Sequence, residues 1–280
     1  MAPRRTDVWN QVLALHAYRD GDLSPCGTAF LVGKQLAMTA THVLDQPFNR
    51  RNYGPQISGQ RSFGIVAQQI VDRRQESLLW RVKEMGRYPS LAESDDRPFD
   101  VGLLALEPLG EVQPEIEDHR RWFFELNVAT PKVGTRVTAY GFAESACELS
   151  SQEPFTFDSR HSFRRVSGEI VEVHFPKRDI AGMPFPCFQV AGDFEPGMSG
   201  GPVFNDRDQV CGVVSRGGGF GVSWATILWP ALAIRMQGKT ALQLAREGRI
   251  LARNHHSVNV HDVPGEAFPG VSFDPNREVP

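Results

Sequence analysis

A serine enclosed by glycines is the first feature of this sequence that could do chemistry. Ser199 lies in the octapeptide GMSGGPVF, residues 197–204, directly before an apolar strand. Glycines on both sides leave the backbone free to adopt positive φ and let a second chain approach closely. In such a turn the amides of Gly197 and Ser199 can point at one spot, which is the arrangement that stabilises an oxyanion. Glycine-rich turns are also common as purely structural features, so a nucleophilic serine needs a base and an orienting group elsewhere.

One histidine and one aspartate have local settings that suit those two roles. His42 ends the small-residue run of LAMTATHVLD, and Asp100 opens the apolar strand of RPFDVGLLALE. Taken singly, such a histidine is usually structural and such an aspartate is usually a turn residue. The order is His, Asp, Ser, with 58 positions between the first two and 99 between the last two. Their joint occurrence favours a Ser-His-Asp triad over three unrelated structural residues.

These motifs together resemble those of the trypsin-like, chymotrypsin-fold serine peptidases over residues 10–235. TATHV resembles the histidine motif of the family, DVGLL its aspartate motif and GMSGGPV its serine motif, which is the most specific of the three. PKVGTRVTAYGF and SGEIVEV, at 131–142 and 167–173, are more similar to the bacterial glutamyl-endopeptidase and high-temperature-requirement branches than to the animal digestive enzymes. The resemblance implies a peptide-bond hydrolase that uses no cofactor and no metal.

Carried onto this chain, the resemblance implies a role for each residue of the triad. Ser199 would be the nucleophile, His42 the general base and then the general acid, and Asp100 the group that fixes the imidazole tautomer. The amides of Gly197 and Ser199 would form the oxyanion hole. The resemblance therefore predicts an acyl-enzyme intermediate on Ser199.

The substrate strand and the substrate pocket follow from the same resemblance. VVSRGG, at 213–218, resembles the strand that pairs with an extended peptide, so Ser215, Arg216 and Gly217 are predicted to bind the substrate main chain. Asp193 lies where trypsin-like enzymes place the carboxylate that pairs with a substrate Arg or Lys, although it could instead be a surface turn residue. Arg216 is either an exposed arginine or a group that binds an acidic substrate side chain.

Two departures from the family pattern bear on activation and on cellular location. Met198 stands where many members carry an aspartate that captures a new amino terminus, so that zymogen switch is not expected. Val43 stands where a cysteine would bridge the histidine loop to Cys26. We therefore expect the enzyme to be active as made or to be controlled by an activating or inhibitory protein partner, through the loop 46–62 or the tail after residue 254.

The elements that must position these residues are predicted from the hydrophobic pattern. It predicts an all-β chain of two six-stranded antiparallel β-barrels. The predicted strands cover 11–18, 27–33, 35–40, 61–71, 77–85 and 100–107 in the first barrel, and 135–142, 166–175, 186–192, 202–205, 209–215 and 221–228 in the second. Helical spacing predicts helices over 230–238 and 240–254, followed by an extended tail. The expected domains are 1–115 with the histidine and aspartate, 116–230 with the serine and the pocket, and 231–280 with the helices and the tail.

Composition limits the partners that this chain can have. The 280 residues carry a net charge of −3, which gives no general attraction to nucleic acid or to an anionic membrane. No run of 18 apolar residues is present and no secretory signal is legible. Four scattered cysteines are typical of free thiols, so a cytoplasmic protein is predicted. His255, His256 and His261 lack supporting ligands, so a polar tail is favoured over a metal site.

Two other functions are alternatives to a serine endopeptidase that acts on proteins or peptides. A protease-fold pseudoenzyme would bind a peptide as a scaffolding module without cleaving it. Such proteins usually lose a member of the triad, whereas all three motifs are intact here. An α/β-hydrolase esterase needs GxSxG and a histidine that comes last in the chain, and the sequence has neither.

Overall fold

The structure is a computed structural model, and strands make up most of what it describes. The described residues are 5–19, 22–45, 63–70, 77–86, 99–109, 123–152, 155–179, 182–236 and 238–254. The loop 46–62, the expected domain boundary at residues 115 and 116, and the tail beyond residue 254 lie outside them. None of the helices in the described ranges has the length and apolar character to cross a membrane.

The N-terminal half forms a closed barrel of six antiparallel strands, after a 3₁₀ helix at Arg5–Gln11. The strands are β1 (Val12–Arg19), β2 (Asp22–Gly33), β3 (Leu36–Thr39), β4 (Phe63–Ile70), β5 (Ser77–Gly86) and β6 (Gly102–Pro108). They pair in the order β1, β2, β3, β6, β5, β4, and β4 pairs back with β1. Large apolar side chains of these strands, such as Leu13, Phe30 and Leu103, are fully buried. The prediction of a six-stranded first barrel is confirmed.

The C-terminal half is an eight-stranded sheet, whereas six strands are predicted from the sequence. Its strands are β7 (Leu126–Asn127), β8 (Arg136–Gln152), β9 (Phe155–His174), β10 (Cys187–Ala191), β11 (Pro202–Phe204), β12 (Val210–Gly219), β13 (Val222–Ile227) and β16 (Ala252–Arg253). The order across the sheet is β11, β8, β9, β10, β13, β12, β7, β16, and β11 also pairs with β12. The two additional strands, β7 and β16, are two residues long, which is too short to show the alternation on which strand prediction depends.

The region after residue 228 contains less α-helix than the sequence predicts. Its described residues, up to 254, form a 3₁₀ helix (Trp229–Ala233), a small hairpin of β14 (Arg235–Met236) and β15 (Lys239–Thr240), and the helix α2 (Ala241–Arg246), which follows α1 (Thr41–Asp45) in chain order. Thr240 starts α2 with a capping box to Gln243. Gly248, at φ +71°, ends it, because a left-handed residue closes the last turn and redirects the chain. The remaining predicted helix is therefore replaced by a turn and β16.

The hairpin of β8 and β9 extends well beyond its predicted length and contacts the N-terminal barrel. Ser159 and His161 of β9 both lie 2.9 Å from the side-chain oxygen of Gln68 in β4. His16 of β1 packs edge-on against Phe157, with 4.9 Å between the ring centroids. The hairpin thus ties the sheet of the C-terminal half to the barrel of the N-terminal half.

Acid is expected to destabilise this contact. Burial, reinforced by the charge of His161 and opposed by the bond to Gln68, lowers the pKa of His16 from 6.5 to about 3. Below pH 6.5 the unfolded chain therefore binds a proton that the folded chain does not, so stability falls as the pH falls. Between pH 7 and pH 5 the free energy of unfolding should drop by about 2 kcal/mol more in the wild type than in a His16→Gln variant. Urea unfolding measures both drops, and equal drops would contradict the prediction.

Candidate active site

A single cleft brings together the three residues predicted as the triad. It has a volume of about 1220 Å³, and its walls include His42 and Asp100 from the N-terminal half and Ser199 from the C-terminal half. The other residues predicted to bind substrate, Asp193, Ser215, Arg216 and Gly217, line the same cleft. Residues that are far apart in the chain therefore converge where an extended peptide could lie.

Strand β3 and the short helix α1 (Thr41–Asp45) place His42 against Asp100. The His42 ring atom Nδ1 lies 2.7 Å from Asp100 Oδ2, and the His42 backbone amide donates to Asp100 Oδ1 at 2.9 Å. Because an ionised carboxylate only accepts hydrogen bonds, Nδ1 carries the proton and Nε2 keeps its lone pair. The imidazole is thereby held in the tautomer that can act as a base.

Asp100 is a buried carboxylate whose charge is stabilised by several donors. It is 1% exposed and sits between buried Phe99 and Val101. The hydroxyl of Ser215 donates to its Oδ2, in addition to the two bonds from His42. Burial alone would raise the pKa of Asp100, but the charge and hydrogen bonds of His42 and the bond from Ser215 outweigh it and hold this pKa below its ordinary value. The carboxylate therefore stays ionised at neutral pH.

Two backbone amides of the serine turn have no hydrogen-bond acceptor among the residues that the structure describes. The amides of Met198, Gly200 and Gly201 each donate to a carbonyl of the C-terminal half, at 2.8–3.1 Å. Among the described residues, the amides of Gly197 and Ser199 have no such acceptor. Gly197 has φ +94°, a conformation that glycine adopts without strain. The two amides predicted to bind an oxyanion are thus the two that the turn leaves available.

The hydroxyl of Ser199 makes one weak hydrogen bond. It donates to the backbone carbonyl of Ser215 at 3.3 Å. Bonds between hydroxyl groups and oxygen acceptors are usually about 2.7–2.8 Å long, so this one is easily exchanged for another acceptor. The hydroxyl is therefore not held away from a base by a strong contact.

The predicted substrate strand presents an open edge to the cleft. On one side of β12, Arg216 and Gly217 pair with β13. On the other side, pairing with β11 ends at Val213, the last backbone hydrogen bonds to the serine turn are those of Val214, and only the Ser199 hydroxyl reaches further, to the carbonyl of Ser215. As far as the described residues go, the edge from Ser215 to Gly217 is left for another strand, which is the geometry of β-strand addition.

Comparison with known families identifies the chain. A family model described as a trypsin-like peptidase domain matches residues 27–213, more than half of the 280 residues. The chain belongs to the trypsin-like peptidase family. Its assignment to the glutamyl-endopeptidase or the high-temperature-requirement branch stays a prediction.

Two solved structures are similar to this trypsin-like peptidase over most of its length. An inactive form of Rv3671c from M. tuberculosis H37Rv is 19% identical, with 87% of this chain and 90% of that chain covered and a TM-score of 0.45. Deg5 is 14% identical, with 80% and 86% covered and a TM-score of 0.48. A search of the curated proteins finds no match. At such low identity the similarity carries no information about the chemistry of the site.

The charged residues predicted to set the specificity of the peptidase both line the cleft, but they differ in their hydrogen-bond partners. Asp193 is exposed, and its Oδ1 accepts a hydrogen bond from the amide of Gly221 at 2.7 Å. Glu195, which also lines the cleft, is paired with Arg164 at 3.1 Å. Arg216 is exposed at the cleft wall. Asp193 therefore positions the β12–β13 turn as well as facing the cleft.

Three parts of the site were not predicted from the sequence. The Ser215 hydroxyl bonded to Asp100 has no sequence signature, because one serine in a strand resembles any other. The loop 182–185 lines the cleft with Met183 and Phe185. Phe220 is fully exposed at the tip of the β12–β13 hairpin, and it too lines the cleft. The run GGGFG could have indicated an exposed, functional Phe220, since a single aromatic residue among glycines seldom belongs to a hydrophobic core.

The cysteines and the described clusters of titratable side chains supply no alternative nucleophile or metal site in the part of the peptidase that the structure describes. All four cysteines are free thiols. Burial raises the pKa of Cys26 and of Cys211 to about 12, so neither is available as a thiolate nucleophile at neutral pH. Within the described part of the chain, no three His, Cys, Asp or Glu side chains cluster as metal ligands. The three histidines at 255, 256 and 261 lie outside that part.

Proposed function

We propose that this trypsin-like serine peptidase cleaves peptide bonds through an acyl-enzyme on Ser199, with His42 as the base and Asp100 as its orienting group. The observation that carries the proposal is the His42–Asp100 pair, 2.7 Å apart, in the same cleft as a serine turn with two available amides. These are the parts that acyl transfer requires: a base in the correct tautomer, a nucleophile and donors for the developing negative charge.

Acylation begins with attack of Ser199 Oγ on the carbonyl carbon of the scissile bond. The hydroxyl proton passes to Nε2 of His42, and the amides of Gly197 and Ser199 stabilise the oxyanion. The imidazolium, held by the carboxylate of Asp100, then protonates the leaving amine as the C–N bond breaks. Water hydrolyses the resulting ester in a second cycle in which His42 again acts first as base and then as acid.

The substrate of this reaction is proposed to be a peptide in an extended conformation. The open edge from Ser215 to Gly217 supplies main-chain donors and acceptors that would pair with it. Main-chain pairing fixes the direction and register of the substrate, and it brings one carbonyl opposite Ser199. Side-chain pockets then decide which residue precedes that carbonyl.

Asp193 is proposed to favour Arg or Lys before the cleaved bond. Its Oδ1 is bonded to Gly221, whereas its Oδ2 accepts no hydrogen bond from the described residues. An Asp193→Asn variant should lose roughly tenfold to a hundredfold in kcat/KM on Arg and Lys substrates while cleavage after Leu or Ala stays within about twofold. A fluorogenic peptide panel measures this. A uniform loss across the panel would show that Asp193 serves only the turn at Gly221.

Control by a protein partner and a cytoplasmic location remain proposals that rest on the sequence. The two regions considered for that control, 46–62 and the tail after residue 254, lie outside the described residues. Removing residues 255–280 and comparing activity and recovered partners with those of the full chain tests the tail directly. Unchanged activity and unchanged partners would exclude it from the proposal.

The proposed reaction is tested by labelling with a fluorophosphonate probe. The wild type should gain one probe mass on Ser199, and a Ser199→Ala variant should gain none. Incubation with a peptide library, followed by sequencing of the products, then identifies the cleaved bonds. If a folded wild type takes up no label, alone or with cell lysate as a source of activator, the protein is better described as a peptide-binding pseudoenzyme.

A further inference from the structure

We propose that Thr28 of β2 is a positioning residue that holds the two oxyanion-binding amides in place. The inference rests on the proposed function, because it assigns a task to the amides of Gly197 and Ser199. Thr28 lies in the N-terminal barrel and is fully buried, whereas the serine turn belongs to the C-terminal half. It is therefore a contact across the two halves.

Thr28 donates hydrogen bonds to two backbone carbonyls of the serine turn. Its backbone amide donates to the carbonyl of Ser199 at 2.8 Å, and its hydroxyl donates to the carbonyl of Gly197 at 2.8 Å. The same hydroxyl accepts a hydrogen bond from the amide of Phe142 in β8 at 3.0 Å. Because the hydroxyl oxygen already accepts a hydrogen bond from the Phe142 amide, its proton points toward the other neighbour, the Gly197 carbonyl.

The two carbonyls that accept these hydrogen bonds belong to Gly197 and Ser199, the residues whose amides are available. A peptide group is planar, so a fixed carbonyl fixes the plane that it shares with the next amide. The planes on both sides of the Met198–Ser199 peptide are held in this way, and the Met198 carbonyl within that peptide accepts a hydrogen bond from the Gly201 amide at 2.9 Å. Together these bonds leave the Ser199 amide little freedom to turn. Gly197 has no side chain and φ +94°, so its own conformation does little to prevent rotation. The hydrogen bond from the Thr28 hydroxyl to the Gly197 carbonyl therefore restricts a rotation that Gly197 itself does not restrict.

The same threonine connects the serine turn to the strand that leads to the base. Its carbonyl accepts a hydrogen bond from the Thr39 hydroxyl at 2.6 Å, and Thr39 ends β3 three residues before His42. Gly200 packs against this pair so closely that a side chain there would overlap the Thr28 carbonyl and Thr39 Oγ1. Thr28 thus links the nucleophile turn with the element that carries His42.

The test compares variants that keep or remove the hydroxyl. Thr28→Val keeps the shape and the backbone amide but leaves Gly197 without its donor, and Thr28→Ser keeps the hydroxyl. We expect Thr28→Val to lower kcat by roughly 10²-fold with KM changed less than about threefold, and Thr28→Ser to stay within about threefold of wild type. Thermal unfolding of each variant shows whether it is folded. Should Thr28→Val fail to fold, the smaller Thr28→Ala variant takes its place.

A second measurement separates positioning from simple packing. A peptide aldehyde forms a tetrahedral adduct with an oxyanion, so its affinity should fall about as much as kcat in the valine variant. Binding of an uncleaved peptide to Ser199→Ala should be the same with and without the Thr28→Val change. Equal kcat in wild type and Thr28→Val, or equal loss in peptide and aldehyde binding, would overturn the inference. Failure of the wild type itself to react with the probe would instead count against the proposed function.

Discussion

Replacing Asp100 by asparagine is expected to lower kcat/KM for peptide hydrolysis by roughly 10⁴-fold while the protein remains folded. If the side-chain oxygen of Asn keeps the bond to the His42 amide, its NH₂ group faces His42 Nδ1. The imidazole must then accept at Nδ1 and carry its proton on Nε2. In that tautomer it cannot take the proton of Ser199.

Ser215→Ala is the matched control for this change. It also removes a hydrogen bond to Asp100, but it leaves the carboxylate and the imidazole tautomer as they are. A loss of roughly tenfold to a hundredfold, far below that of Asp100→Asn, is expected, because a hydrogen bond to a charged group contributes about 1.5–3 kcal/mol. Steady-state kinetics on one peptide, with thermal unfolding alongside, compares the variants. Similar losses in Asp100→Asn and Ser215→Ala would contradict a role for Asp100 in setting the tautomer.

Gly200→Ala is expected to abolish activity and to destabilise the fold by more than about 4 kcal/mol. Gly200 has φ +88°, and a side chain there would overlap atoms of Thr28 and Thr39 on the other half of the molecule. Since the obstructing atoms include a backbone carbonyl, the clash is relieved only if the serine turn moves away from β2. That movement separates Ser199 from the His42–Asp100 pair.

Gly134→Ala controls for the backbone conformation alone. Gly134 has nearly the same φ, +84°, but a side chain there would meet nothing within 4 Å. Gly134→Ala should therefore lower the free energy of unfolding by only about 1 to 2 kcal/mol, the penalty for placing alanine in the left-handed conformation, and should leave kcat/KM unchanged. Urea unfolding and peptide hydrolysis of both variants give the comparison. Similar destabilisation by the two alanines would show that the contact of Gly200 with Thr28 and Thr39 is unimportant.

The sequence predicted the strands of the first barrel well for a physical reason. Each strand there has one face in a closed core, so its apolar residues alternate or run continuously, as in LAMT and GLLALE. The candidate triad was recognisable because His42, Asp100 and Ser199 each lie in a short motif whose neighbours are also constrained. Local constraint of this kind is visible without a structure.

Features that depend on contacts between distant segments were not predictable in this way. In the extension of β8 and β9, over 143–152 and 155–165, the face that carries Phe157 and Phe163 also carries Ser159 and His161, so the apolar alternation is interrupted at residues whose partner, Gln68, only the fold supplies. The helix predicted over 240–254 had suitable apolar spacing, but Gly248 terminates it after Arg246. Thr28 has no signature at all, because its importance lies in the carbonyls of Gly197 and Ser199, more than 160 positions away.

If Thr28 aligns the site as proposed, its bonds to the serine turn also imply a stage of synthesis before which this protein would not be proteolytic. The anchoring residue is synthesised early, whereas the turn that it grips emerges only after about 200 residues have been translated. On the proposed mechanism, a nascent chain that has exposed His42 and Asp100 but not Ser199 would have no nucleophile, and one that has exposed Ser199 would need the two halves to dock before the amides of Gly197 and Ser199 are aligned. The proposal therefore expects no cleavage by the growing polypeptide or by its separated halves.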